Sequence, residues 1–278
     1  MTTLDERLNT TAVATLTGIA LAYLCSFINQ NLPIITLFFI IPLYFLIQRN
    51  HARYDLLEKL WHLDDAWKYV FPFAIYLVMG DLTRAILPGA FEEYHIYIAY
   101  CLRTIAVGYI LIRYRSLYTE LARWRLDGTS VLIGVIICIL WVGLEGLYPV
   151  FSSADSHYDP TIFDTVTMIF LILVRFAGSV FVAPLIEELF CRSFLMRYAI
   201  DSKWQDVPIG AYTLGSFVIV TMFFGFSHSR WLPGILTAVL LNLLLYRTKN
   251  LSSCVVAHAT TNLLLLMYVV YTGEWGFF

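Results

Sequence analysis

Apolar runs broken at short intervals by charged or polar clusters recur along the whole chain. Nine of them approach the roughly 20 residues that a helix needs to cross a bilayer core of about 30 Å. They are Thr11–Ile28, Leu32–Gln48, Val70–Leu87, Ile96–Ile112, Val131–Val150, Phe163–Ile186, Ile209–Phe226, Leu232–Tyr246 and Cys254–Tyr271. The predicted fold class is therefore all-α, a polytopic transmembrane helical bundle. Several runs are short and Leu232–Tyr246 suits a tilted or partly re-entrant helix, so the expected count is about nine spans, between eight and ten. No internal repeat or low-complexity tract interrupts the pattern. A soft boundary falls near Ser152–Thr161. It divides an N-terminal region of about five spans (1–150), which carries no readable motif, from a core of about four spans (151–278), which holds all the candidate chemistry.

Composition narrows the class further. The 278 residues are 59% hydrophobic and 14% charged, with a mean hydropathy of +0.72, whereas soluble chains carry roughly a quarter charged residues. That balance excludes a disordered tail and a disulfide-rich secreted module. A net charge of -2 without a basic run excludes a nucleic-acid partner. The 18 Tyr and 7 Trp suit interfacial belts, and the bilayer itself is the first expected partner. Cys25, Cys101, Cys138, Cys191 and Cys254 all lie in apolar stretches, and none shares a Cys-x-x-Cys spacing, so neither a disulfide framework nor a structural zinc site is expected. Met1–Arg7 holds Asp5, Glu6 and one Arg, and no small-residue cleavage site follows the first apolar run. That run reads as a retained transmembrane helix.

Loop charges orient the bundle. With a cytoplasmic N-terminus, fourteen of the 18 basic residues fall in inside segments, two (Arg84 and Arg230) fall outside, and Arg103 and Arg175 lie within spans. Phe151–Asp164 has no Lys or Arg, as an exported loop should.

Ionisable residues within spans are costly and mark functional sites by default. Asp81 and Arg84 stand three apart and can pair locally, and Glu145 and Arg175 on consecutive spans can pair across them; these would be packing pairs. Glu187-Glu188-Leu189-Phe190-Cys191-Arg192 interrupts an apolar helix from Phe181 to Tyr198. Glu188 and Arg192, at i and i+4, suit an intrahelical ion pair, which leaves Glu187 without a partner on its own helix. A carboxylate in low dielectric can act as a general base, although two acids can also simply solvate a helix end. Phe224-Gly225-Phe226-Ser227-His228 ends the seventh span, with His228 either a packing residue or a catalyst. His258-Ala259-Thr260-Thr261-Asn262 puts an imidazole and a carboxamide on one helix face. Such a pair suits either an oxyanion or a bond to a neighbouring helix.

Together, Glu-Glu-x-x-x-Arg, Phe-x-x-x-His and His-x-x-x-Asn, in that order on separate spans, resemble the CAAX-protease and bacteriocin-processing family of intramembrane proteases. The resemblance covers roughly Phe163 to Tyr271. Ala183-Pro184-Leu185-Ile186 and Ser193-Phe194-Leu195 around the first motif are also similar, although Cys191 stands where many members have Phe or Trp. The run from Leu244 to Lys249 through Thr272–Trp275 resembles the bacterial subgroup associated with exosortase sorting systems. The resemblance implies a glutamate-dependent endopeptidase in a bacterial inner (plasma) membrane. Its substrate would be a protein or peptide with a membrane-proximal or C-terminal processing signal. Glu187 would activate water with help from His228, and His258 and Asn262 would stabilise the oxyanion. Glu188, Arg192 and Phe224 would be supporting residues. No cofactor is implied.

Three alternatives stay open. Glu187, His228 and His258 could bind zinc as two His and one carboxylate, though no His-Glu-x-x-His helix is present. Cys191 could be a thiol nucleophile one turn from Glu187, though Arg192 would point about 100° away. A scaffold or transporter component could also have kept the fold without activity. The depths disagree as well. At 1.5 Å per residue Glu187 lies about 20 Å from a cytoplasmic end near Tyr198–Ile200, yet His228 falls at the outer end of its span. At least one expected boundary must therefore move.

Overall fold

A computed structural model describes residues 66–87, 89–150 and 158–277, which fall in one unit. The two expected spans Thr11–Ile28 and Leu32–Gln48, and Cys25, lie outside the described residues. Each of the other seven expected spans is helical: α1 Trp67–Ile86, α2 His95–Arg113, α3 Gly128–Gly143, α4 Thr165–Tyr198, α5 Leu214–Phe226, α6 Trp231–Thr248 and α7 Leu251–Thr272. No strand occurs among the described residues. Five of these helices are long and apolar enough to cross a membrane, and α3 and α5 are shorter. Large apolar side chains face outward, including Ile105, Tyr109 and Ile112 on α2, Val166 and Leu173 on α4, and Met267 on α7. That surface suits lipid.

Helix ends depart from the expected boundaries for local reasons. α3 stops at Gly143 rather than Val150, because Gly146 adopts a positive φ of 75° and Pro149 follows. The stretch before α5 is not helical, since Pro208 precedes Gly210 at φ 73°. Thr213 then opens α5 with a capping box, accepting from the Ser216 N–H while the Ser216 hydroxyl accepts from the Thr213 N–H. Asp127 caps α3, accepting from the Ser130 N–H at 2.9 Å, and it also accepts from Ser253 on α7.

These bonds hold the Asp127 carboxyl below the usual carboxylate range, the backbone bond from Ser130 contributing most. A depressed carboxylate stabilises the fold at neutral pH, and that stabilisation fades as pH falls through its folded-state value. Asp127→Ala should lower stability by about 1 kcal/mol at pH 7, and the gap from wild type should close in acid. Thermal unfolding in detergent across pH measures both.

α4 is the spine. At 34 residues it would run about 51 Å as a straight α-helix, but it is not one. Two π-helical segments, Ala177–Val182 and Leu189–Leu195, interrupt it, one before and one after the two glutamates. Such i→i+5 turns are rare and gather at functional sites. α1 packs on α4 through a Phe73–Phe190 stack at 4.2 Å, and Phe223 of α5 joins that cluster. α7 lies along α3 so closely that a Cβ on Gly134 would sit 2.4 Å from the Ala257 carbonyl oxygen. Thr261 donates to the Gly134 carbonyl across the same contact. Helices 67–86, 95–113 and 128–143 therefore pack directly on the last four.

α5 is short, its 13 residues rising only about 20 Å before the chain turns at residues 227–230. The return helix α6 touches α5 through glycines: a Cβ on Gly225 would meet Ile235 Cγ1 at 2.3 Å, and one on Gly234 would lie 3.0 Å from the Gly225 carbonyl oxygen. Small residues let membrane helices approach this closely. Gly225→Val should separate α5 from α6, lowering stability by about 1–3 kcal/mol and displacing His228. Thermal unfolding and cleavage, measured together, would report both effects.

Arg230 ties that turn to the ends of α3 and α7, donating from Nε and Nη2 to both Glu145 oxygens at 2.7 Å and from Nη1 to the Gly276 carbonyl at 2.9 Å. The expected Glu145–Arg175 pair is thus replaced by Glu145–Arg230, because α5 is short enough to bring Arg230 beside the end of α3. Asp81 and Arg84 form no salt bridge, and Arg84 is exposed.

Candidate active site

Adjacent helical residues point about 100° apart, and Glu187 and Glu188 take different roles for that reason. Glu188 turns into the protein and is fully buried. Its Oε1 accepts from Arg192 Nη1 at 3.2 Å and from His258 Nδ1 at 2.9 Å. Arg192, also fully buried, donates from Nε to the Asn242 side-chain oxygen at 3.2 Å and lies 4.3 Å over the Phe224 ring. Asn242 in turn donates to Thr221 at 3.1 Å. One buried network thus ties α4, α5, α6 and α7 together. Pairing and hydrogen bonding of this kind are what make two buried charges tolerable.

Glu187 turns the other way, into a cavity of about 230 Å³ that His228, His258, Asn262, Trp141 and Phe224 also line. Its Oε2 lies 4.0 Å from His228 Nε2 and 4.0 Å from His258 Nε2. That oxygen is buried without a hydrogen-bond partner among the described residues. Both imidazoles are held from behind. The 2.7 Å contact between His228 Nδ1 and the Phe224 carbonyl requires a proton on Nδ1, as does the contact between His258 Nδ1 and the Glu188 carboxylate. In the neutral imidazoles, Nε2 therefore carries a lone pair directed at the Glu187 side of the cavity. The Trp141 ring meets His228 edge-on at 5.7 Å, and its indole N–H is fixed by Thr237 at 2.8 Å.

Glu187, His228, His258 and Asn262 all line this one cavity, and Glu188, Arg192 and Phe224 stand around it. Asn262 donates from Nδ2 to the Ser179 carbonyl at 2.8 Å. Cys191 is 1% exposed and does not line the cavity, so the thiol faces protein rather than Glu187's open side. Cys101, Cys138 and Cys254 are likewise free thiols. Among the described residues no group of three His, Cys, Asp or Glu has an arrangement that would hold a metal ion. The two 4.0 Å separations exceed the roughly 3.4 Å between tetrahedral ligands at zinc distances.

Sequence reasoning passed over Asn242, although a polar residue within the apolar run of α6 was signal enough. The His258–Glu188 bond has no counterpart in sequence spacing, because it joins α4 to α7.

Comparison with known proteins gives one result. Residues 167–264, a little over a third of the chain, match the family model of the Rce1-like type II CAAX prenyl endopeptidases. No curated protein and no solved structure matches the chain. The matched segment contains all three motifs, so it is this part of the chain that is similar to the family.

Proposed function

We propose that the protein is an intramembrane endopeptidase that uses Glu187 to activate water against a peptide bond. The observation that carries this reading is the buried Glu187 Oε2, which has no hydrogen-bond partner among the described residues and stands 4.0 Å from each of two imidazole Nε2 atoms. A water seated there donates one proton to the Glu187 carboxylate and the other to His228 Nε2, and its oxygen attacks the scissile carbonyl carbon. The carbonyl becomes an oxyanion. His258, when it carries both ring protons, offers Nε2–H to that oxyanion while Glu188 balances the charge through Nδ1. The second amide hydrogen of Asn262 is the other donor. Collapse expels the amine, which takes the proton from Glu187, and the other product is a carboxylic acid that gives its remaining proton to His228 and leaves as a carboxylate. A base, a polarised water and oxyanion donors are the parts peptide hydrolysis requires.

The substrate class is a membrane-associated protein or peptide bearing a membrane-proximal or C-terminal processing signal. The C-terminal sequence likeness favours the bacterial exosortase-associated subgroup and an inner-membrane location. The basic-residue bias supports a cytoplasmic N-terminus. In the fold, the loop before α3 bonds the start of α7 through Asn250 and the Arg123 carbonyl, and Glu120 contacts Ser193 and Arg197 near the end of α4. The described basic segments around Arg123, Arg197 and Lys249 thus lie at one end of the bundle, which supports that orientation.

Cleavage in water enriched in oxygen-18 tests the chemistry. The new carboxyl terminus should carry one label, and the intact mass of the enzyme during turnover should show no acyl adduct. A covalent adduct at Cys191 would contradict the proposal. Loss of activity with a chelator, and its return with zinc, would favour the two-His, one-carboxylate metal reading in its place.

A further inference from the structure

His228 sits in a turn rather than on a helix. α5 ends at Phe226, and residues 227–230 lead into α6. The His228 side chain keeps 26% of its surface exposed, so burial alone leaves its ring room to swing. Along its own segment the ring meets the Phe224 carbonyl, 2.7 Å from Nδ1, the Ser227 hydroxyl at 3.2 Å and the Phe224 ring at 4.8 Å. All three contacts come from within four residues of His228 and would move with the turn.

A fixed reference comes from α3. The Trp141 ring meets the imidazole at 5.7 Å and 71°. Its indole N–H donates to Thr237 Oγ1 of α6 at 2.8 Å, and Thr237 is buried. An indole N–H taken out of water needs such a partner, and this bond holds the Trp141 ring between two helices. Four residues on, in the turn that ends α3, Glu145 accepts from two nitrogens of Arg230, which stands two residues past His228. The α3 segment thus grips the turn at two points, one of them the imidazole itself. α3 also packs along α7, which carries His258, so both imidazoles are referred to one frame.

We propose that Trp141 is a positioning residue, whose ring holds the His228 imidazole with Nε2 toward Glu187. Its effect on rate rests on the endopeptidase reading of Glu187. Trp141 precedes residues 167–264, the segment that matches the family model, so the proposal gives the region before residue 150 a part in the site. Aromatic pairs have preferred geometries, and displacing a reacting group by about 1 Å can cost about 100-fold in rate.

The full-length protein in detergent tests this. Trp141→Leu keeps apolar bulk and removes the ring. It should lower kcat by about 10-fold with KM within about twofold, and Trp141→Phe should retain part of the rate. In a His228→Ala background the same change should lower kcat by less than about twofold, because the group that Trp141 aims is gone. Position is read without cleavage from modification by diethyl pyrocarbonate, with mass spectrometry locating the modified histidine. His228 should react about 2- to 10-fold faster in Trp141→Leu, as a ring released from an aromatic pair, while His95 at the start of α2 reacts as in the wild type. Thr237→Val, which frees the indole, should move both readouts the same way and decides the matter if Trp141→Leu does not fold. Equal losses of kcat in the wild-type and His228→Ala backgrounds would overturn the proposal, as would unchanged His228 reactivity. So would a rise in KM alone, which would make Trp141 a wall for substrate. Cleavage indifferent to Glu187→Gln would refute the endopeptidase reading instead, and His228 reactivity would still decide the positioning.

Discussion

Replacing Glu187 with glutamine should lower the rate of peptide cleavage by about 10²–10⁴-fold, the usual contribution of a general base, with thermal stability close to wild type. Glutamine has the same shape but cannot take a proton from water. Because Glu187 lies against an open cavity rather than in the buried network, its charge holds no partner in place. The effect should fall on kcat, since removing a group needed in the transition state leaves ground-state binding largely unchanged. His228→Ala should reduce the rate as well, by less, because Glu187 remains to accept a proton. Unaltered turnover in Glu187→Gln, with activity lost only in Cys191→Ala, would instead make the protein a thiol enzyme.

Glu188→Ala should behave in the opposite way and damage the fold first. Removing this carboxylate leaves the Arg192 guanidinium buried and without its ion pair, a loss of about 3–5 kcal/mol for a buried charge pair broken on one side. It also frees His258, whose Nδ1 bonds the same oxygen at 2.9 Å, so the surviving folded protein should cleave slowly. Glu188→Gln keeps the shape and one acceptor, and should lose less stability while still misorienting His258. Thermal unfolding in detergent, read beside cleavage, separates the two glutamates: one variant is stable and inactive, the other unstable. Equal stability for both would contradict the division of roles.

The residues at this site were legible in the sequence because the membrane makes polar groups conspicuous. Glu187, Glu188, His228, His258 and Asn262 interrupt apolar runs, where each is expensive to keep. The i, i+4 spacing of Glu188 and Arg192 follows from helical geometry alone, and the 3.2 Å contact agrees with it. The helices themselves were equally legible, since each expected span among the described residues is helical.

What spacing could not carry was anything that depends on a departure from a regular α-helix. Hydropathy ran the span before His228 from Ile209, whereas α5 begins at Leu214 and the turn after it is tied to the end of α3 by Arg230 and Glu145. Adjacency of consecutive spans suggested Arg175 for Glu145, whereas Arg230 takes it. Spacing also gave no hint that Arg103 and Arg175 face the Glu187 cavity, because π-helical turns leave no periodic mark in an apolar run. Contacts between helices distant in sequence, such as Glu188 with His258 and Arg192 with Asn242, depend on packing that no single segment encodes.

Hydrolysis of peptide bonds in membrane proteins is the activity proposed for this cavity. Comparing the termini of all membrane proteins by mass spectrometry, in cells carrying the wild-type chain and in cells carrying Glu187→Gln, tests it most directly. The expected result is a set of new C-termini that depends on Glu187. Identical termini in the two cell lines, with both proteins folded and equally abundant, would contradict it.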